Sequence, residues 1–169
     1  DVTNAAAVYR AAAEMGDTAI DVLINNAGIM IEDDIDRIDI GAVRLQFEVN
    51  ALGPLSIALA FRKRLRRGSK VINISSRLGS IGDNESGDDF GYRMSKAAQN
   101  MLTSNLAIEL AKQNVLVAAL HPGIVATRMT NGKGTPADEV AVDLKAVIDQ
   151  LDGAQSGRFL DRSGAQIPW

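Results

Sequence analysis

The chain has 169 residues, 46% of them hydrophobic, which fits one globular domain with a substantial core. A formal net charge of −3 gives no electrostatic footprint for nucleic acid or for an anionic membrane surface. The lack of cysteine excludes disulfides, thiol nucleophiles and thiolate metal sites, and it is compatible with a cytoplasmic location. With a single histidine, we expect no metal site.

Helix and strand patterns alternate along the chain. A helix over residues 3–15, capped by Thr3 or Asn4, is followed by an apolar strand over 19–24. A long helix over 40–66 precedes a β-branched strand over 70–74. The later predicted elements are a helix over 92–113, a strand over 115–120, a helix over 135–151 and a strand over 158–160.

Continuous apolar strands that alternate with helices predict an α/β fold with a parallel sheet covered on both faces. In such sheets, ligands bind beyond the carboxyl ends of the strands. Residues 25–28, 75–76 and 121–123 each follow a predicted strand. We therefore expect these three segments to converge on one edge of the sheet.

Tyr92 and Lys96 stand four positions apart on a predicted helix and so share one of its faces. A nearby cation favours the phenolate, which predicts a Tyr92 pKa lowered from its usual value of about 10. Such a pair suits proton transfer to or from a carbonyl or an alcohol. Taken alone, it is also consistent with an ordinary surface pair on an amphipathic helix.

Five motifs occur in order: Asn25-Asn26-Ala27-Gly28, Asn50, Ser76, Tyr92-x-x-x-Lys96 and Pro122-Gly123-Ile124-Val125-Ala126-Thr127. Together they resemble the short-chain dehydrogenases/reductases over almost the whole chain. The tail over 157–169 is similar to the branch that contains C-factor-like and sniffer-type carbonyl reductases. The resemblance implies a Rossmann-like, doubly wound parallel sheet, of which this chain holds the C-terminal portion, about four strands with flanking helices.

The resemblance further implies hydride transfer between NAD or NADP and a small-molecule carbonyl or alcohol. Tyr92 is then the acid/base, Ser76 polarises the substrate oxygen, and Lys96 holds the ribose hydroxyls. We prefer Ser76 to Ser75 because strand alternation separates them and the family motif uses the second serine.

The resemblance also implies a role for Asn50 and a set of cofactor contacts. The main-chain carbonyl of Asn50 would bind a water that links Lys96 to solvent. Pro54, four residues on, has no N–H, so we expect it to kink this helix and free that carbonyl. The positions that match the family's cofactor contacts are Asp1, Val2, Asn26, Ala27, Gly28, Tyr92, Lys96, Pro122, Gly123, Val125 and Thr127.

The chain departs from the family in one respect. The glycine-rich Thr-Gly-x-x-x-Gly-x-Gly loop, which receives the pyrophosphate, does not occur in these residues. We therefore expect residues 1–169 to form a single partial domain without that loop and the first three strands, with strand 19–24 at an exposed edge. We therefore expect this chain alone to bind the cofactor weakly or not at all. Its residues do not distinguish NAD from NADP.

Three functions are compared. The first is the oxidoreductase, assembled as a homodimer or homotetramer through helices 40–66 and 92–113, as the resemblance implies. The second is a non-catalytic fragment or regulatory module with weak cofactor binding. The third, a hydrolase that uses Ser76, is disfavoured because no motif places a histidine base near it. His121 is interpreted as a strand-end residue, and the acidic stretch 82–89 as a solvated loop.

Overall fold

The computed structural model describes all 169 residues, which form five α-helices and four β-strands. In chain order they are α1 (Ala5–Glu14), β1 (Ile20–Asn25), α2 (Ile40–Phe47), α3 (Gly53–Phe61), β2 (Leu65–Ile74), α4 (Phe90–Leu110), β3 (Leu116–His121), α5 (Ala137–Gln150) and β4 (Arg158–Asp161). None of the helices combines the length and apolar character that a membrane crossing requires.

The four strands form one parallel sheet in the order β1-β2-β3-β4. Its interior strands are largely buried, whereas β1 pairs only with β2 and leaves Val22 and Ile24 42% and 49% exposed. The predicted α/β fold with a parallel sheet is therefore confirmed, and the first strand lies at an edge as expected.

The two long helices cover opposite faces of the sheet. Ala107 and Leu110 of α4 pack with Val71 and Val117, while α5 packs on the other face, which carries Ile72. Because the strands are parallel and sequential, the β2–α4–β3 and β3–α5–β4 connections must have opposite hands. One of them departs from the right-handed rule that about 98% of such connections obey. As a result, helices stand on both sides of the carboxyl edge of the sheet.

The predicted helix over 40–66 begins as expected and is interrupted near Pro54, but its predicted end is wrong. α2 gives way to a π-helical turn, Glu48–Leu52, and after α3 a 3₁₀ turn, Arg62–Arg64, leads into β2 at Leu65. The early start of β2 depends on long-range pairing, since Leu65 pairs with Ile20 of β1. Helical periodicity in the sequence could not report that pairing. The other predicted elements agree with the structure to within a few residues at each end.

The loop that leaves β2 is held tightly against α4. The Ser75 hydroxyl donates to Asn100 Oδ1 at 2.6 Å, and Asn100 Nδ2 donates to the Gly79 carbonyl at 3.1 Å. A Cβ at Gly79 would lie 2.7 Å from Lys96 Cβ and 2.8 Å from the Lys96 carbonyl carbon. Only glycine lets the loop approach the helix this closely.

We expect Gly79→Ala to lower the free energy of unfolding by about 1–3 kcal/mol, because the backbone of α4 cannot move aside. Gly153→Ala is the matched control, since a Cβ there meets no atom within 4 Å. Its effect should stay within about 0.5 kcal/mol. Urea unfolding followed by circular dichroism measures both, and equal stabilities would contradict the close contact at Gly79.

Candidate active site

A cleft of about 410 Å³ opens at the carboxyl ends of β1, β2 and β3. Nine residues predicted from the sequence line it: Asn26, Gly28, Ser76, Tyr92, Lys96, Pro122, Gly123, Val125 and Thr127. Met129 and three side chains of α5, Val140, Ala141 and Leu144, supply an apolar part of the wall. The structure thus brings the three strand-end segments together.

α4 carries Tyr92 and Lys96, and a distant carboxylate caps its first turn. Asp33 Oδ1 accepts a hydrogen bond from the Phe90 N–H at 2.6 Å, and Oδ2 accepts one from the Gly91 N–H at 3.0 Å. A negative charge here also complements the helix dipole. Asp33 could not be predicted as a cap, because 57 residues separate it from Phe90 and no local capping pattern relates them.

Tyr92 is 7% exposed, and burial of its phenol raises the pKa above the ordinary value. A hydrogen bond with Ser76 acts in the opposite direction but does not outweigh burial, and Asp89 adds to the rise. The predicted lowering of the Tyr92 pKa is therefore wrong. Lys96 Nζ lies 5.8 Å from the centre of the phenol ring and does not offset the effect of desolvation on the Tyr92 pKa.

Lys96 is 4% exposed, and its ammonium is held by neutral acceptors. Nζ donates to the Ile74 carbonyl at 2.9 Å and to Gln99 Oε1 at 3.0 Å. Burial lowers the pKa of Lys96 to about 8. The lysine is consequently poised to titrate close to neutral pH.

Asn50 is fully buried behind the cleft, and its side chain connects the loop after β1 to α4. Its Oδ1 accepts from the Ile29 N–H at 2.9 Å, while Nδ2 donates to the Ile29 carbonyl at 2.8 Å and to Ser95 Oγ at 2.9 Å. Sequence analysis missed this side-chain role. The expected helix irregularity is present as the π-helical turn, directly before Gly53 and Pro54. The water relay through the Asn50 carbonyl stays a prediction.

The two adjacent serines differ in their surroundings. Ser75 is buried and its hydroxyl donates to Asn100. Ser76 Oγ accepts from the Leu78 N–H at 3.2 Å, and its own proton faces the cleft beside the Tyr92 phenol. Of the two hydroxyls, that of Ser76 is therefore not committed to Asn100 of α4.

Three of the expected cofactor contacts lie away from the cleft. Val2 and Ala27 line a separate cavity of about 150 Å³, together with Pro54 and Ile57. Asp1 is exposed, and its carboxylate accepts hydrogen bonds from Thr3. Of the predicted contacts, Asn26 lines both cavities.

His121 ends β3, as interpreted, and it also lines the cleft. Its Nδ1 accepts from the Arg77 N–H at 3.3 Å. Burial, aided by the positive charge of Arg77, lowers the pKa of His121, so the imidazole is neutral at pH 7.

The low pKa of Lys96 predicts a pH dependence of stability. Between pH 8 and 10 the folded lysine has released its proton and the unfolded one has not, so the free energy of unfolding should rise with pH. The rise should amount to about 2–3 kcal/mol in total. Urea titrations at several pH values measure it. Lys96→Met should lack this rise, and a rise of equal size in that variant would contradict the assignment.

Comparisons with known proteins agree with this geometry. The family model of the short chain dehydrogenases matches residues 1–138. The chain is 39% identical to the 1-hydroxy-2-glutathionyl-2-methyl-3-butene dehydrogenase of Rhodococcus sp. strain AD45, covering all of this chain and 78% of that protein. It is also 39% identical to the C-signal of Myxococcus xanthus, over 89% of this chain and 93% of that protein.

Solved structures give the same result. The NADPH-bound carbonyl reductase from chicken fatty liver superposes with a TM-score of 0.93 at 32% identity, over all of this chain and 75% of that one. The carbonyl reductase Sniffer of D. melanogaster superposes with a TM-score of 0.94 at 28% identity, over all of this chain and 76% of that one. The chain belongs to the short-chain dehydrogenase/reductase family and resembles its carbonyl reductase and C-signal members.

Proposed function

We propose that this protein is a cytoplasmic oxidoreductase that moves a hydride between NAD or NADP and a small-molecule carbonyl or alcohol. The observation that carries the proposal is that Ser76, Tyr92 and Lys96 line one cleft at the carboxyl ends of parallel strands. The bound NADPH of the chicken carbonyl reductase supports the class of cofactor. The cysteine-free composition is compatible with the location.

The residues of the cleft fit the nicotinamide half of such a cofactor. A Cβ at Gly28 would stand 3.6 Å from Lys96 Nζ, so the glycine keeps open a space that the ammonium faces. Lys96 has one N–H left for ribose hydroxyls after its two internal bonds. Pro122, Gly123, Val125 and Thr127 line the same cleft, and we expect them to lie along the nicotinamide. When bound, the cofactor supplies hydride in reduction and accepts it in oxidation.

Tyr92 acts as the proton donor in carbonyl reduction. Its raised pKa keeps the phenol protonated at neutral pH, so a proton is available when negative charge develops on the carbonyl oxygen. Ser76 donates its hydroxyl proton to the same oxygen as a hydrogen bond. With the phenol protonated the site is ready for carbonyl reduction, and alcohol oxidation runs the same steps in reverse, starting from the phenolate.

Lys96 supports Tyr92 electrostatically after it has donated its proton. The ammonium lies near the phenol and stabilises the phenolate that proton donation leaves behind. Asn50 holds the loop after β1 through both polar groups of Ile29, next to the space that Gly28 keeps open. We propose that the main-chain carbonyl of Asn50 binds a water molecule, and that this water passes protons from solvent to Lys96.

We expect Tyr92→Phe to lower the rate of aldehyde reduction by NADPH or NADH by about 10²- to 10⁴-fold, because the proton donor is lost. The chain's other tyrosine supplies the matched control: Tyr9 is exposed on α1, and Tyr9→Phe should keep the full rate. Absorbance at 340 nm follows the reaction. If Tyr92→Phe retained most of the activity, the proton would have to come from another group.

The assembly we propose is a homodimer or homotetramer formed through α2–α3 and α4, the helices within the predicted ranges 40–66 and 92–113. Two apolar stripes run along these helices at seven-residue intervals, Leu45, Leu52 and Leu59 on one and Met94, Met101 and Ile108 on the other. These side chains are between 46% and 69% exposed. α2 packs against α4, so the stripes stand on neighbouring helices and suit a self-complementary interface.

Met101→Lys should dissociate this assembly, because it places a charge at the centre of the α4 stripe. Val142→Lys on α5 is the control, since Val142 is similarly exposed but lies outside both stripes. Sedimentation velocity measures the molecular mass of each variant. A wild-type protein that stays monomeric at high concentration would rule the interface out.

A second candidate is a module that acts by binding, as a signal or regulator, instead of by catalysis. The similarity to the C-signal favours it, since the match covers nearly all of that protein. The open edge of β1, with Val22 and Ile24 exposed, offers backbone groups to a partner strand. The aldehyde assay separates the candidates when it is positive, because reduction by the wild-type protein with NADH or NADPH would exclude the module as the sole function.

A further inference from the structure

Gln99 lies one turn after Lys96 on α4, at a position that sequence analysis did not single out. It is fully buried. Its Oε1 accepts a hydrogen bond from Lys96 Nζ at 3.0 Å. Its other polar atom, Nε2, is buried without a hydrogen-bond partner.

This environment is unfavourable for an amide. A buried N–H group without a partner loses its hydration and gains nothing in exchange. A leucine would fill similar space between helix and sheet without that loss. Packing therefore does not explain the glutamine, whereas its contact with the lysine does.

The groups around the Lys96 ammonium are uncharged. By element they are Tyr92 and Gln99 on α4, the Ile74 carbonyl on β2 and Gly28 after β1. Burial of the ammonium is the cause of the low Lys96 pKa. The charged form of Lys96 therefore receives hydrogen bonds from two neutral acceptors, the Ile74 main-chain carbonyl and the Gln99 side chain.

We propose that Gln99 is a positioning residue that keeps Lys96 protonated and directs its remaining N–H into the cleft. The inference rests on the proposed function for its consequence, but the contact can be tested without turnover. With Oε1 and the Ile74 carbonyl occupied, the third N–H of the ammonium is left for the cleft, which Lys96 lines beside Tyr92. An apolar residue at 99 would remove one of two directional constraints and let the ammonium rotate or release its proton.

The test measures the Lys96 pKa in the protein by NMR titration of ¹³Cε-labelled lysine, with the resonance assigned by its loss in Lys96→Met. Gln99→Leu should lower this pKa from about 8 by roughly one pH unit, a tenfold change in the ionisation equilibrium. Gln99→Glu should raise it, because a carboxylate replaces the amide oxygen. In the active enzyme, the pH at which reduction slows should move by the same amount and in the same direction.

Thr103→Val is the matched control. Thr103 is fully buried one turn further along α4, and its hydroxyl accepts from Asn73 Nδ2 at 2.8 Å. Thr103 Oγ1 also donates to the Gln99 main-chain carbonyl at 3.0 Å. The variant therefore loses two buried hydrogen bonds but keeps the Gln99 side chain and its bond to Lys96, so it should destabilise the fold and leave the lysine pKa unchanged.

An unchanged Lys96 pKa in Gln99→Leu, or an equal fall in Thr103→Val, would overturn the proposal. If Gln99→Leu does not fold, the proposal is tested with Gln99→Glu. An unchanged Lys96 pKa in that variant would also overturn it. The titration needs no turnover, so the lysine pKa tests the role of Gln99 even in a protein that shows no activity.

Discussion

Burial of the Lys96 ammonium between α4 and the carboxyl end of β2 is the constraint on which the site depends. Its bond to the Ile74 carbonyl ties the helix to the strand, and desolvation brings its pKa close to neutral. The contact requires a close approach of the loop after β2, which Gly79 permits by lacking a side chain. A charge buried without a carboxylate destabilises the fold, which is consistent with a position selected for chemistry rather than for stability.

The contact between the sheet and α4 changes character along the helix. At its carboxyl end, Ala107 and Leu110 pack on Val71 and Val117 through apolar contact. Towards the cleft, the contact becomes polar, with hydrogen bonds from Asn73 to Thr103 and from Ser75 to Asn100. Apolar packing tolerates small rotations, whereas directional hydrogen bonds specify one orientation. The polar half therefore sets the rotation of α4 that turns Tyr92 into the cleft.

Much of the fold could be predicted from the sequence, because apolar runs and helical periodicity are local properties. Strands β1, β3 and β4 begin and end close to their predicted bounds. The start of β2 could not be predicted, because Leu65 joins the strand through pairing with Ile20, 45 residues away. The basic residues that follow the apolar run of α3 gave no sign of it. The side chains that complete the site, Asp33 and Gln99, were likewise invisible to spacing arguments.

The sequence by itself determined the family, the order of the elements and the convergence of the three strand-end segments, because these rest on residue type, on spacing and on the shared edge of parallel strands. Tertiary structure alone decided the protonation of the site. Desolvation depends on what surrounds a group, and Tyr92 is enclosed by segments from distant parts of the chain. Spacing correctly predicted a shared helical face but gave the wrong sign for the Tyr92 pKa, since burial of the phenol outweighs the neighbouring cation.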